Sequence, residues 1–186
     1  MQKPYFEDQT YEQVAELESG EYDNCTFFNC TLANADLSGF VFADCTFVDC
    51  DLTSAKLDET AFKTVTFKRC KLLGVHFEDC RDFLFQTAFV GCNMELATFS
   101  NWKLKGAMFE SCRLYEVDFT GADLQGATFE DCDLTRAIFE RTDLRKADFR
   151  KAINFLFSPE ANRLKGAKFS IEGLPGLLAE YGIIVR

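Results

Sequence analysis

Histidine is nearly missing from this chain: His76 is the only one in 186 residues, beside one tryptophan and three prolines. A lone imidazole with no nucleophile or carboxylate partner visible gives no acid–base or nucleophilic machinery, and His76 is expected on the surface. The nine cysteines include no Cys-x-x-Cys pair, so the usual zinc and dithiol spacings are absent. No apolar run approaches the roughly 18 residues of a membrane span. The start, Met1 to Glu7, lacks the basic-then-apolar order of a secretion signal, which sets a cytoplasmic expectation. No glycine-rich phosphate cradle is present either. These absences exclude the common enzyme classes, and neither cofactor nor metal is expected.

What the chain has in abundance is phenylalanine, 21 residues of it, at a fixed interval. Phe27, Phe47, Phe67, Phe89, Phe109, Phe129, Phe149 and Phe169 follow at steps of 20, with one step of 22. A constant return to one side chain marks a winding chain, not a layered one. Inside the twenty runs a beat of five. Its central residues read Tyr22, Phe27, Leu32, Leu37, Phe42, Phe47, Leu52, Leu57, Phe62, Phe67, Leu72 and Phe77, and the beat resumes from Phe89 to Phe149 after a slip. A helix repeats apolar residues at three and four, and a plain strand alternates without end, so a strict five predicts short extended pieces separated by turns. Four pieces complete a circuit, and stacked circuits pair at about 4.8 Å, which predicts columns of like side chains. Leu32, Leu52, Leu72, Met94, Leu114 and Leu134 form one such column, and Phe42 and Phe62 open another that continues through Leu84 and Leu104.

Two places before each centre the residue is usually small, most often alanine or one of the cysteines. Cys30, Cys50, Cys70, Cys92, Cys112 and Cys132 therefore share a column. Parallel neighbours about 4.8 Å apart suit a disulfide poorly, so the thiols are expected as small inward fillers, with metal binding or redox sensing as the alternative. Two places after a centre stand Gly39, Gly74, Gly91, Gly106, Gly121 and Gly126, where the turn is expected to disfavour bulk.

The net charge of −10 is unevenly spread: residues 1–50 hold ten acids and one base, whereas residues 151–186 hold three acids and five bases. Such a field repels nucleic acid and attracts a basic partner. Asp23, Asp36, Asp44, Asp49, Asp123 and Asp143 are the candidate acidic partner surface. Between circuits, Asp51 with Lys71, Arg113 with Asp133 and Glu130 with Arg150 are expected to pair.

The ends of a stack need covers. Residues 1–16, carrying Tyr5, Phe6, Tyr11 and Val14, are expected to cap a repeat region spanning 17–169. From residue 170 the spacing turns helical, with Ile171, Leu174, Leu177, Leu178 and Tyr181 on one stripe, Pro175 in the first turn and Gly182 as the stop. A short helix needs something to bury its stripe. With Ile183, Ile184 and Val185 behind it, this tail of residues 170–186 is expected to form a two-fold homodimer. The slip near 80–84 offers Phe83 and Phe85 as an aromatic contact at a bulge, or else an opened space filled by Trp102.

The five-residue units, such as Ala35-Asp36-Leu37-Ser38-Gly39, Ala122-Asp123-Leu124-Gln125-Gly126 and Cys132-Asp133-Leu134-Thr135-Arg136, resemble the pentapeptide repeat family over roughly Leu17 to Phe169. The resemblance implies an all-β fold, a right-handed four-sided parallel β-solenoid, here with a short C-terminal helix. The tail, Gly166-Ala167-Lys168-Phe169 followed by Tyr181-Gly182-Ile183-Ile184-Val185, is similar to the quinolone-resistance branch of that family. Likeness to that branch implies a dimeric, non-enzymatic rod that imitates duplex DNA and binds DNA gyrase and topoisomerase IV. A scaffold for a different basic protein is the alternative, because the acid gathers at one end.

Overall fold

The computed structural model describes residues 3–83 and 85–183. The chain coils through four short faces per circuit. One face is a parallel sheet in the order β1 (Tyr5–Glu7), β3 (Glu21–Asp23), β5 (Val41–Ala43), β7 (Ala61–Lys63). The next is a seven-stranded parallel sheet. It begins with β2 (Thr10–Glu12), β4 (Thr26–Phe28), β6 (Thr46–Val48) and β8 (Val65–Lys68). It continues through β9 (Thr87–Val90), β10 (Met108–Glu110) and β11 (Thr128–Glu130). Single parallel bridges hold the other two faces, for example Thr31 to Asp51 to Lys71 and Thr98 to Asp118 to Ile138.

The register is what the twenty-residue step demands: Phe27 pairs with Phe47, Phe47 with Phe67, and Phe109 with Phe129. The rings stack at centroid separations of 4.4 Å for Phe27–Phe47, 5.1 Å for Phe47–Phe67 and 5.2 Å for Phe109–Phe129. A second stack runs Phe77, Phe99, Phe119, Phe139 and meets the first edge-on, with Phe99 at 82° to Phe109. Offset stacking along a column and edge contact between columns are the two favoured aromatic arrangements. Both are satisfied at once because the columns stand on facing walls and meet across the interior.

Most corners use the same left-handed backbone two places after a centre. Glycine occupies it at Gly39 (φ 71°), yet so do Arg69 (φ 51°), Leu96 (φ 60°) and Lys146 (φ 60°). Bulk at this position is therefore tolerated, contrary to the expectation from glycine placement. Two features reconcile the conformation with large side chains. The side chain projects into solvent, and the corner amide donates to the next circuit, as from Arg69 N to Val90 O at 2.7 Å. The inward slot before each centre has its own rule. Cys50 Sγ donates to Phe27 O at 3.3 Å, Cys70 to Phe47 O at 3.4 Å and Cys112 to Phe89 O at 3.4 Å. Thr60 and Thr142 make the same bond from a hydroxyl, to Leu37 O at 2.8 Å and Phe119 O at 2.9 Å. Where the slot carries a donor, that donor is thus a thiol or hydroxyl on a small side chain, and alanine fills it elsewhere, as at Ala97 and Ala122. All nine cysteines are buried and unpaired. Burial pushes the Cys45 thiol up to about 12 and raises Cys80 well above its ordinary value.

The N-terminal segment is built from the same unit, not a separate kind of lid. Phe6 pairs with Tyr22 and Tyr11 with Phe27, a step of 16 that hides them from the twenty-residue beat. Their rings open the Tyr22–Phe42–Phe62 column and the Phe27 column, Phe6 on Tyr22 at 4.7 Å and Tyr11 on Phe27 at 5.1 Å. At the other end Phe155 and Phe157 are buried over Phe149, and Phe169 stacks on it at 5.3 Å. Helix α1 (Pro175–Leu178) continues as a 3-10 turn over Ala179–Tyr181 and stops at Gly182 (φ 63°). It lies close on Phe155: a Cβ at Gly176 would stand 2.2 Å from the Phe155 carbonyl oxygen. Ile184 and Val185 lie outside the described residues.

Candidate partner-binding surfaces

The acid of the early circuits is largely uncompensated. Glu7, Asp8, Glu12, Glu16, Glu18, Glu21, Asp23 and Asp44 make no ion pair among the described residues. Asp23 accepts the Tyr5 hydroxyl at 2.9 Å, which pushes that phenol up to about 12. Asp44 sits exposed at a left-handed corner. The remaining sequence candidates are engaged locally. Asp36 accepts the Ser38 amide at 3.0 Å and Asp123 the Gln125 amide at 3.1 Å, each closing a turn. Asp49 is held by Arg69 at 2.7 Å, and that bond lowers its proton affinity. Asp143 lies between Arg145 at 2.6 Å and Arg163 at 3.1 Å. Six of the eight free carboxylates were not singled out residue by residue; the signal that finds them is the ten-to-one excess of acids in residues 1–50.

The later circuits neutralise themselves. The Arg150 guanidinium, 2.8 Å from Asp148, holds that carboxyl down to about 2. Asp51 pairs with Lys71 at 3.5 Å as expected. Arg113 bridges to Asp133 through the backbone, but its guanidinium turns to Glu95 at 3.4 Å. Glu130 is taken by Lys151 instead of Arg150. Long side chains on an open surface reach several partners, so column position alone does not fix the pair. His76 faces solvent with Glu78 at 3.4 Å, a carboxylate neighbour the linear spacing did not reveal.

At the break the two aromatic candidates separate. Phe83 is 70% exposed, whereas Phe85 turns in and packs edge-on against Phe62, Phe77 and Trp102. Phe85 thereby continues the column assigned to Leu84, a residue outside the described set. The expectation that both phenylalanines form an exposed contact is corrected for Phe85, because the two extra residues shift it onto the inward position. Trp102 fills the space beside it.

On the C-terminal tail, Leu177 packs on the core and Leu178 is half-buried. Leu174, Tyr181 and Ile183 remain 42%, 48% and 53% exposed, joined by Ile171 of the same stripe and by Leu156. Among the described residues, no three His, Cys, Asp or Glu side chains converge on a metal-sized site. Among the described residues, no helix is long and apolar enough to cross a membrane.

The sequence pattern of the pentapeptide repeat region matches residues 21–82 and 60–139, together well over half of the chain. Among solved structures, the chain is similar to QnrB1, a plasmid-mediated fluoroquinolone resistance protein. The two share 22% identity over 100% of this chain and 99% of that one, with a TM-score of 0.50. It is similar also to HetL, a pentapeptide repeat protein involved in heterocyst differentiation regulation from the cyanobacterium Nostoc sp. strain PCC 7120. Here identity is 20% over 93% of this chain and 87% of that one, with a TM-score of 0.52. At these identities the likeness is one of fold. No curated protein matches the chain. Repeat pattern, stacked columns and fold agree, and the chain belongs to the pentapeptide repeat family.

Proposed function

We propose that this protein is a non-catalytic rod that presents its acidic early circuits to the basic DNA-binding surface of a type II topoisomerase, in the place of duplex DNA. The observation that carries this reading is the run of unpaired carboxylates from Glu7 to Asp44 on a rigid stack. A basic groove built for phosphates attracts such a surface at long range and loses it as salt rises. Fold likeness to QnrB1 supports the choice of partner class. In this reading the chain works as a homodimer, two copies meeting through Leu174, Leu177, Leu178, Tyr181 and Ile183, with the acid at the far tips.

Purified protein added to DNA gyrase, relaxed DNA and a quinolone is expected to change supercoiling or drug-stabilised cleavage at micromolar protein and low salt. No change in either would remove the topoisomerase as partner. A second reading, a scaffold for an unrelated basic protein, is favoured by one feature: the ion-paired later circuits confine the free acid to one end. Capture from the native host of a basic protein without topoisomerase would select it.

A further inference from the structure

The two-residue insertion opens the corner between the two sheets into a groove of about 500 Å³ beside β7, β8, β9 and β10. That volume is in the range of small-molecule sites. Its lining contains Lys63, Lys103 and Lys105 and no carboxylate, in a protein of net charge −10. Lys103 carries Asp82 at 2.6 Å, but Lys63 and Lys105 make no ion pair among the described residues. The rest of the wall mixes Thr64, Thr66 and Gln86 with apolar surface, Phe85 on one side and Met108, 58% exposed, on the other.

One buried group on this wall also lacks a partner. Thr87 is 8% exposed and its hydroxyl makes no hydrogen bond. In the same slot Thr60 and Thr142 bond a carbonyl of the previous circuit at 2.8 and 2.9 Å. At the break the corresponding carbonyl, that of Phe62, instead accepts the Gln86 amide at 3.3 Å. The unmet hydroxyl is enclosed, so it records the pairing that the insertion displaces and does not itself face the groove.

We propose that this groove binds a small amphipathic organic anion, its charged oxygens held by Lys63 and Lys105, its apolar body laid on Met108 and Phe85. Free lysines supply charge-assisted bonds, and the exposed methionine is an adaptable apolar surface. The site is independent of the acidic circuits and of the tail.

The probe is 1-anilinonaphthalene-8-sulfonate, an aryl sulfonate, titrated by fluorescence against the full chain. Saturable binding is expected, weakened by salt and by about tenfold or more in Lys63→Glu and in Lys105→Glu, the scale of losing one charge-assisted bond. Thr87→Val, at an enclosed hydroxyl, and Leu174→Glu should both leave it unchanged. Circular dichroism verifies folding, and Lys105→Gln replaces any reversal that fails to fold. Absence of saturable binding at millimolar probe overturns the proposal. So does binding indifferent to both lysines, or binding that disappears with Leu174→Glu, which would place the dye on the tail.

Discussion

Phe109→Asp is expected to leave the chain unfolded or aggregated. Phe109 is fully buried, stacked between Phe89 at 5.3 Å and Phe129 at 5.2 Å and edge-on to Phe119 at 5.9 Å. Truncating a buried phenylalanine costs about 3–5 kcal/mol, and an unpaired carboxylate in the same place adds a desolvation penalty. Total stabilities of folded domains are only about 5–15 kcal/mol. In a solenoid each circuit rests on its neighbours alone, so a fault in the middle exposes two sheet ends at once. Ile138→Asp, at an outward position 43% exposed, is the control and should melt close to the wild type. Circular dichroism and solubility check both. A folded Phe109→Asp protein with wild-type melting would refute the inward assignment of the column.

Leu174→Arg is expected to halve the mass seen by light scattering without lowering the melting temperature much. Leu174 is 42% exposed, beside exposed Tyr181 and Ile183, while Leu177 behind it packs on the core. The substitution therefore touches the outer stripe and not the docking of the tail on Phe155. In a two-fold contact each residue meets its own symmetry neighbourhood, so one substitution places two cations in the seam. Wild type and variant of equal mass would show that the stripe is not a dimer seam.

The columns were legible because one side chain repeats without compromise: nothing but a stacked coil returns Phe27, Phe47 and Phe67 to one register. Phe6 and Tyr11 were missed because their circuit is four residues short, which removes them from the beat while leaving their pairing intact. The break misled for a different reason. Adjacent apolar residues, Leu84 and Phe85, both suit the inward position, and only the pairing of Lys63 with Phe85 decides between them. Corner glycines pointed to the turns but understated the fold, since a repeated hydrogen bond to the next circuit holds Arg69 and Leu96 in the same left-handed conformation. The acidic surface was visible as a composition bias, not as a residue list. Whether an aspartate is free, as Asp44 is, or clamped, as Asp143 is, depends on arginines in its own turn and one circuit away. The groove could not be read at all, because it arises from a hydrogen bond that the insertion redirects.

Thiol titration under native conditions tests the dry, columnar interior most directly. With nine cysteines buried and their proton affinities raised by burial at Cys45 and Cys80, no thiol should react with dithionitrobenzoate within minutes at neutral pH, and all nine should react in denaturant. Rapid reaction of several thiols in the native protein would contradict the stacked core on which every surface described above is mounted.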